Sequence, residues 1–305
     1  MVRRTSRGRE RPGPGVLERM HEERRSGGAQ PLPTRSPGPP RDPLPEDAAS
    51  LPPLPDAARA LIETGCAAWD VTLDQGMLAA LEAHARLLLA WTASINLTAV
   101  RDPERLAVAH VLDSLAAVPV IRRWIGPRPA MVDLGSGGGY PGLPLAIVLP
   151  ASSACLVESI GKKARFLQVA AAAVGRALDG PGPRPRLEVV RERAEALAGP
   201  AGRPGAFDLV TVRAVGSLAR VAQLGLPLLR PSGLLVVWKR DGGDGALGAE
   251  MDAARPAIAR LGGGAPWVEP VRAAAGITGL EGHRLVLVER GPAGAPANGG
   301  TCLLG

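Results

Sequence analysis

Apolar residues along this 305-residue chain recur first at helical spacing and then in alternating strand-like and helix-like blocks. Leu78, Leu81, Ala85, Leu88 and Trp91 fall on one face of a helix that Asp74 starts, and Asp56 to Gly65 predicts a shorter helix before it. Asp102-Pro103 supplies an N-cap and a first-turn proline for a third helix, running through His110 and Asp113. Residues 56–125 therefore predict a helical N-terminal unit. Beyond Gly126-Pro127, candidate strands at Ala130–Leu134, Ala154–Glu158, Leu187–Arg191, Phe207–Val212 and Leu234–Lys239 alternate with helices at Pro144–Val148, Lys162–Ala177, Ala194–Leu197 and Leu218–Leu229. Such alternation predicts the α/β class, a mostly parallel sheet covered on both faces. Val268–Val271 and Arg284–Glu289 have no long helix between them and predict an antiparallel pair at one edge.

Composition changes this picture only at the ends. Residues 1–55 hold twelve of the 31 prolines and ten arginines against seven acids, which predicts a disordered Pro/Arg-rich tail; 291–305 reads as a second flexible tail. Residues 126–290 are then the ligand-binding domain. The net charge of +7 permits a polyanionic partner without demanding one. Cys66, Cys155 and Cys302 lie far apart and form no C-x-x-C pair, which suits a reducing compartment and argues against a zinc site. No apolar run approaches the ~20 residues of a membrane span. The expectation is a cytoplasmic protein with no membrane partner and no metal.

The chemistry concentrates in Val132-Asp133-Leu134-Gly135-Ser136-Gly137-Gly138-Gly139-Tyr140-Pro141-Gly142, between an apolar strand and an apolar helix. Open α/β sheets bind ligands at this carboxyl end, and glycines let backbone N–H groups approach a nucleotide-like cofactor closely. Gly137-x-Gly139-x-x-Gly142 formally satisfies the dinucleotide fingerprint, so a nicotinamide cofactor competes with S-adenosylmethionine. Asp133 favours the second, because a carboxylate there repels a pyrophosphate and tolerates a cationic sulfonium. The Pro141-Gly142-Leu143-Pro144 start is also poor for a long helix cradling a diphosphate.

Other residues each admit two readings. Glu158, at the end of the second strand, accepts ribose hydroxyls or is a solvated strand-end acid. Lys162 and Lys163 sit where cations are unfavourable for the helix macrodipole, so they are merely solvated or face RNA phosphate. Ala194-Glu195 recognises an adenine edge or is an ordinary acidic helix start. Arg213 closes an apolar strand as a functional cation or a structural ion pair. Lys239 steers phosphate or is solvated. His110 and Asp113 share a helix face and are spaced to hydrogen-bond, a structural role being favoured over a catalytic base.

The segments Trp91–Thr98, Val100-Arg101-Asp102-Pro103, His110-Val111-Leu112-Asp113-Ser114, Asp133–Leu145, Glu158-Ser159-Ile160-Gly161-Lys162-Lys163, Phe207–Arg213 and Trp238-Lys239 together resemble the bacterial small-subunit ribosomal RNA guanine-N7 methyltransferases, also known as the glucose-inhibited division protein B family. The likeness extends over roughly 55–290 and leaves out the tail. It implies a class I, Rossmann-like methyltransferase sheet with a helical N-terminal cap, S-adenosylmethionine as donor and N7 of a guanine in 16S ribosomal RNA as acceptor. Residues matching the family's cofactor contacts are Gly135, Tyr140, Ala194, Glu195 and Arg213, beside Gly137 and Glu158 from the loop and strand. RNA contacts are expected from Lys162, Lys163, Arg213 and Lys239. Thr92 departs from the Asn common after Trp in the family, and Tyr140 from a Leu or Phe, so its ring is expected against the cofactor. No general base is expected, since guanine N7 carries a lone pair and no proton.

Overall fold

The computed structural model describes residues 43–292 apart from 127, 150–152, 181–183, 214–215 and 275. Helices α1 (Asp56–Ala67) and α2 (Gln75–Thr92) open the cap. Asp74 accepts from the Met77 N–H, and Asp102 caps the next helix by accepting from Arg105 N–H, with Pro103 in its first turn. That helix is interrupted: α3 (Pro103–Leu106) passes into a π-helical stretch, Ala107–Leu112, and then into α4 (Asp113–Leu115). α5 (Val118–Ile125) completes the cap.

The sheet follows as β1 (Ala130–Leu134), α6 (Gly142–Val148), β2 (Ser153–Val157), α7 (Gly161–Ala177), β3 (Arg186–Val190), α8 (Ala194–Ala198), β4 (Phe207–Arg213), α9 (Leu218–Gly225), β5 (Leu229–Arg240), α10 (Ala246–Arg260), β6 (Trp267–Pro270) and β7 (His283–Glu289). Strand order is β3-β2-β1-β4-β5-β7-β6. β1 through β5 pair in parallel, while β7 runs antiparallel to both β5 and β6. This is the class I methyltransferase sheet, with the expected antiparallel pair at its edge.

The period-2 alternation of the strands sorts side chains into two cores. Met131, Leu156, Leu209 and Val236 face the cap helices, α6 and α7; Val132, Val157, Val210 and Val237 face α8, α9 and α10. The cap thus shares one continuous core with the sheet.

Two expectations need correction. The tail does not end at residue 55. Ala48 and Leu54 are buried, Trp91 Nε1 donates to the Pro45 carbonyl at 2.8 Å, and Arg86 donates to the Leu51 carbonyl. Residues 44–55 are therefore part of the fold, held by isolated apolar contacts and backbone carbonyls that carry no periodicity to read. The rest of the predicted tail lies outside the described residues. Helix α10 was also absent from the expected elements. Leu247, Met251, Ala254 and Ile258 do carry helical spacing, but the preceding glycines and Pro256 within the helix break up the pattern. Cys66 and Cys155 are buried free thiols, pushed by burial up to about 12; Cys302 lies outside the described residues.

Candidate cofactor and acceptor site

A cleft opens at the carboxyl ends of β1, β2 and β4, where the strand order reverses between β1 and β4. Leu134, Gly135, Val157, Glu158 and Val212 line it, with Glu192–Glu195 closing it after β3. Four of the expected cofactor residues, Gly135, Glu158, Ala194 and Glu195, are thereby brought together. Gly135 has φ 73°, and its N–H donates to the Val157 carbonyl at 2.9 Å, which turns the chain sharply out of β1.

Glu158 is 6% exposed, and its carboxylate is fixed from two sides. Gly137 N–H donates to Oε2 at 3.1 Å and Ile160 N–H to Oε1 at 2.8 Å. A carboxylate has about four lone-pair sites, so each oxygen keeps capacity for a ligand hydroxyl. Gly137 therefore orients Glu158 instead of addressing the ligand through its N–H. A Cβ at Gly137 would meet nothing closer than 3.7 Å; its φ of 53°, not crowding, is what favours glycine.

The other two fingerprint glycines pack. A Cβ at Gly139 would lie 2.7 Å from His84 Nε2, and one at Gly142 would lie 2.5 Å from Leu156 Cδ2 and 2.8 Å from Asp133 Oδ2. They let the loop settle onto α2 and onto the sheet.

Several expected ligand contacts are engaged elsewhere. Asp133 is buried on the cap face of β1, where Oδ1 accepts from Thr211 Oγ1 at 2.8 Å and Oδ2 from Gly142 N–H at 3.3 Å. Burial raises its pKa, and it does not line the cleft, so it clamps the loop and does not face a sulfonium. The Tyr140 ring is likewise buried, stacked on His84 with centroids 4.3 Å apart and on His110 at 5.1 Å, which seats it against the cap.

Arg213 turns toward the cap. Nη1 donates to Asp113 Oδ2 at 3.1 Å and Nη2 lies 3.3 Å from His110 Nδ1, leaving its side chain 19% exposed and in the ion-paired arrangement that the sequence left open. His110 and Asp113 are not hydrogen-bonded to each other as expected: Arg213 sits between them, and His110 Nε2 bonds Thr98 Oγ1 at 2.6 Å. Asp113 is the junction. Its Oδ1 accepts from His283 Nδ1 at 2.7 Å and its carbonyl from Trp238 Nε1 at 2.8 Å, so one residue ties the cap to β4, β5 and β7. Lys239 is neither solvated nor free to steer phosphate, because Nζ is held by Glu250 Oε1 at 2.7 Å and the Gly216 carbonyl at 3.2 Å. Glu195 pairs with Arg220.

Sequence reasoning missed His84 and His283. Position 84 falls three residues after Leu81 and four before Leu88, inside the apolar stripe of α2, and that placement marks it as a buried polar group. Its Nε2 lies 2.7 Å from the Gly138 carbonyl, to which it donates. His283 had no comparable mark, since its partner is 170 residues away.

His84 and His110 are both held well below the usual imidazole range, at about 4, chiefly by burial. The unfolded chain takes up protons first as pH falls through about 6.5, so stability is full above that value and declines until about pH 4, where the folded state protonates too. The loss is on the order of 3 kcal/mol per histidine. Urea midpoints at pH 7 and pH 4.5 should therefore differ less in His84→Gln than in the unsubstituted protein; equal differences would remove His84 from this account.

Among the described residues, no group of three His, Cys, Asp or Glu is placed to hold a metal ion, and no helix is long and apolar enough to cross a membrane. A family model described as rRNA small subunit methyltransferase G matches residues 77–247. The chain is 42% identical over 238 residues to the ribosomal RNA small subunit methyltransferase G of Xanthomonas axonopodis pv. citri (strain 306), covering 78% of this chain and 97% of that protein. It is 37% identical over 220 residues to the protein of the same name from Roseiflexus castenholzii, covering 72% and 86%. Among solved structures, Trm1 from Pyrococcus horikoshii with S-adenosyl-L-methionine aligns with a TM-score of 0.41 and 16% identity, over 59% of this chain and 54% of that one.

Proposed function

The chain belongs to the rRNA small subunit methyltransferase G family, and from that premise we propose that it transfers a methyl group from S-adenosylmethionine to N7 of a guanine in 16S ribosomal RNA, in the cytoplasm. The observation that carries the cofactor assignment is Glu158: a nearly buried carboxylate, pinned by two backbone N–H groups, on the wall of a cleft at the sheet's switch point. Such an acceptor suits a pair of ribose hydroxyls, which S-adenosylmethionine and a nicotinamide dinucleotide both carry, and the family decides between them in favour of S-adenosylmethionine.

S-adenosylmethionine, when bound, supplies a methyl group activated by its sulfonium charge. Glu158 would take the ribose, Gly135 would admit the ligand close to the backbone, and Ala194-Glu195 would meet the adenine edge. Guanine N7 presents a free lone pair and no proton, so the acceptor requires no general base. His110 and Asp113 are then left to their structural bonds, and the protein contributes alignment. Arg213, paired with Asp113 at the end of β4, would offer only its remaining edge to a charged group of cofactor or RNA.

Glu158→Gln keeps the shape and removes the charge. It should weaken S-adenosylhomocysteine binding about ten- to a hundredfold by isothermal titration, the loss expected for a charge-assisted contact. Unchanged affinity in a folded variant would place the ribose elsewhere.

A further inference from the structure

The cations around the cleft fall into two groups. On the β4–β5–β7 side Arg213 is paired with Asp113, Lys239 with Glu250 and Arg284 with Asp241, which leaves Arg240, bonded to His283, without a carboxylate among the described residues. On the β2–β3 side, Lys162, Lys163, Arg191 and Arg193 have no carboxylate partner within 4 Å among the described residues. Three of these four are exposed and Lys163 is half-buried.

They also stand together. Lys162 and Lys163 occupy the first turn of α7, directly after the β2 end that carries Glu158. Arg191 leans across from the end of β3, with Nη2 2.7 Å from where a Cβ of Gly161 would be; the glycine makes room for that guanidinium. Arg193 lines the cleft rim beside Glu158 and Ser159. Glu192 is interposed in the chain between the two arginines, and Glu195 is already engaged by Arg220.

This arrangement works against local stability. Two lysines in a helix's first turn oppose its macrodipole, with no acid in that turn to offset them, and Arg191 adds a third positive charge against the same helix end. A polyanion relieves the repulsion. We propose that the RNA backbone is gripped on this β2–β3 flank of the cleft by Lys162, Lys163 and Arg191, with Arg193 at the rim, and not by Lys239 on the opposite side. The assignment rests on RNA being the acceptor, and it gives the substrate a direction of approach, across the cofactor's ribose side toward the end of β4.

The test is a fluorescence titration of full-length protein with a 16S ribosomal RNA transcript at salt concentrations from 50 to 200 mM. Each phosphate contact removed lowers the slope of log affinity against log salt by about 0.7–0.9. The Lys162→Ala/Lys163→Ala/Arg191→Ala variant should lose about two units of slope and bind RNA at least tenfold more weakly at 100 mM salt, with S-adenosylhomocysteine affinity unchanged and a melting temperature slightly raised by the relieved repulsion at the helix start. Lys162→Glu alone should weaken RNA binding more than Lys162→Ala. Lys239→Ala should leave the slope as it is. A triple variant with the original slope, or a slope that falls in Lys239→Ala instead, would overturn the assignment. If the unsubstituted protein bound RNA with no salt dependence, the reading of RNA as acceptor would fail first, and this surface with it.

Discussion

Gly142→Val should lose cofactor binding altogether and melt about 6–12 °C below the unsubstituted protein, the result of roughly 3 kcal/mol of overpacking in a domain of this size. Its Cβ would lie 2.5 Å from Leu156 Cδ2 and 2.8 Å from both Cβ and Oδ2 of Asp133. None of these atoms can retreat easily, because Leu156 is buried in β2 and Asp133 is held by Thr211. The loop must move instead, breaking the Gly142 N–H bond to Asp133 and displacing Gly135 and the Glu158 clamp with it. Gly137→Ala is the contrast. It has room for the methyl and meets only the cost of a left-handed backbone, about 1–2 kcal/mol. Calorimetry and isothermal titration on the two variants would separate crowding from backbone strain. Equal, small effects would mean that the loop does not depend on its seat against the sheet.

Asp113→Ala should be the second severe lesion. Its carboxylate is 4% exposed and accepts from both Arg213 and His283, so truncation strands a mostly buried guanidinium and an imidazole together. Breaking a buried charge pair from one side costs about 3–5 kcal/mol. The cap should loosen from β4 and β7, and methylation of 16S ribosomal RNA should fall with it. Arg213→Ala leaves Asp113 its His283 bond and should destabilise less, while still impairing methylation if its remaining edge meets cofactor or RNA. Additive stability losses in the Asp113→Ala/Arg213→Ala double variant would show that the two residues act independently and would contradict the junction.

Sequence-local features of the fold were legible. The Asp74 and Asp102 caps, the first-turn Pro103, the β1 strand and the parallel alternation up to β5 all rest on neighbouring residues, and the structure has them within a residue or two except at the end of α9 and the start of β5. The same holds for the cleft: Gly135, Glu158 and Ala194-Glu195 sit at strand ends, and topology alone brings strand ends together. What could not be read was which way side chains turn once there. Arg213 and Lys239 end adjacent parallel strands and look alike in sequence, yet one is claimed by a cap aspartate 100 residues earlier and the other by Glu250 on α10, a helix the pattern had not revealed. Tyr140 turns toward the cap because His84 and His110 offer it a stacked slot. Asp133 faced inward because the strand's alternation puts position 133 on the cap side with Met131, a period-2 inference available beforehand.

Family and cleft together point to methyl transfer onto N7 of a guanine in 16S ribosomal RNA. The most direct measurement incubates the purified protein and methyl-labelled S-adenosylmethionine with free 16S ribosomal RNA and with small subunits, both from cells lacking this gene, then maps the modified nucleotide by nuclease digestion and mass spectrometry. The expected result is N7-methylguanosine at a defined position, and its loss in Glu158→Gln at limiting cofactor. Label on an exocyclic amine, on ribose or on another base, or no label on either substrate, would contradict it.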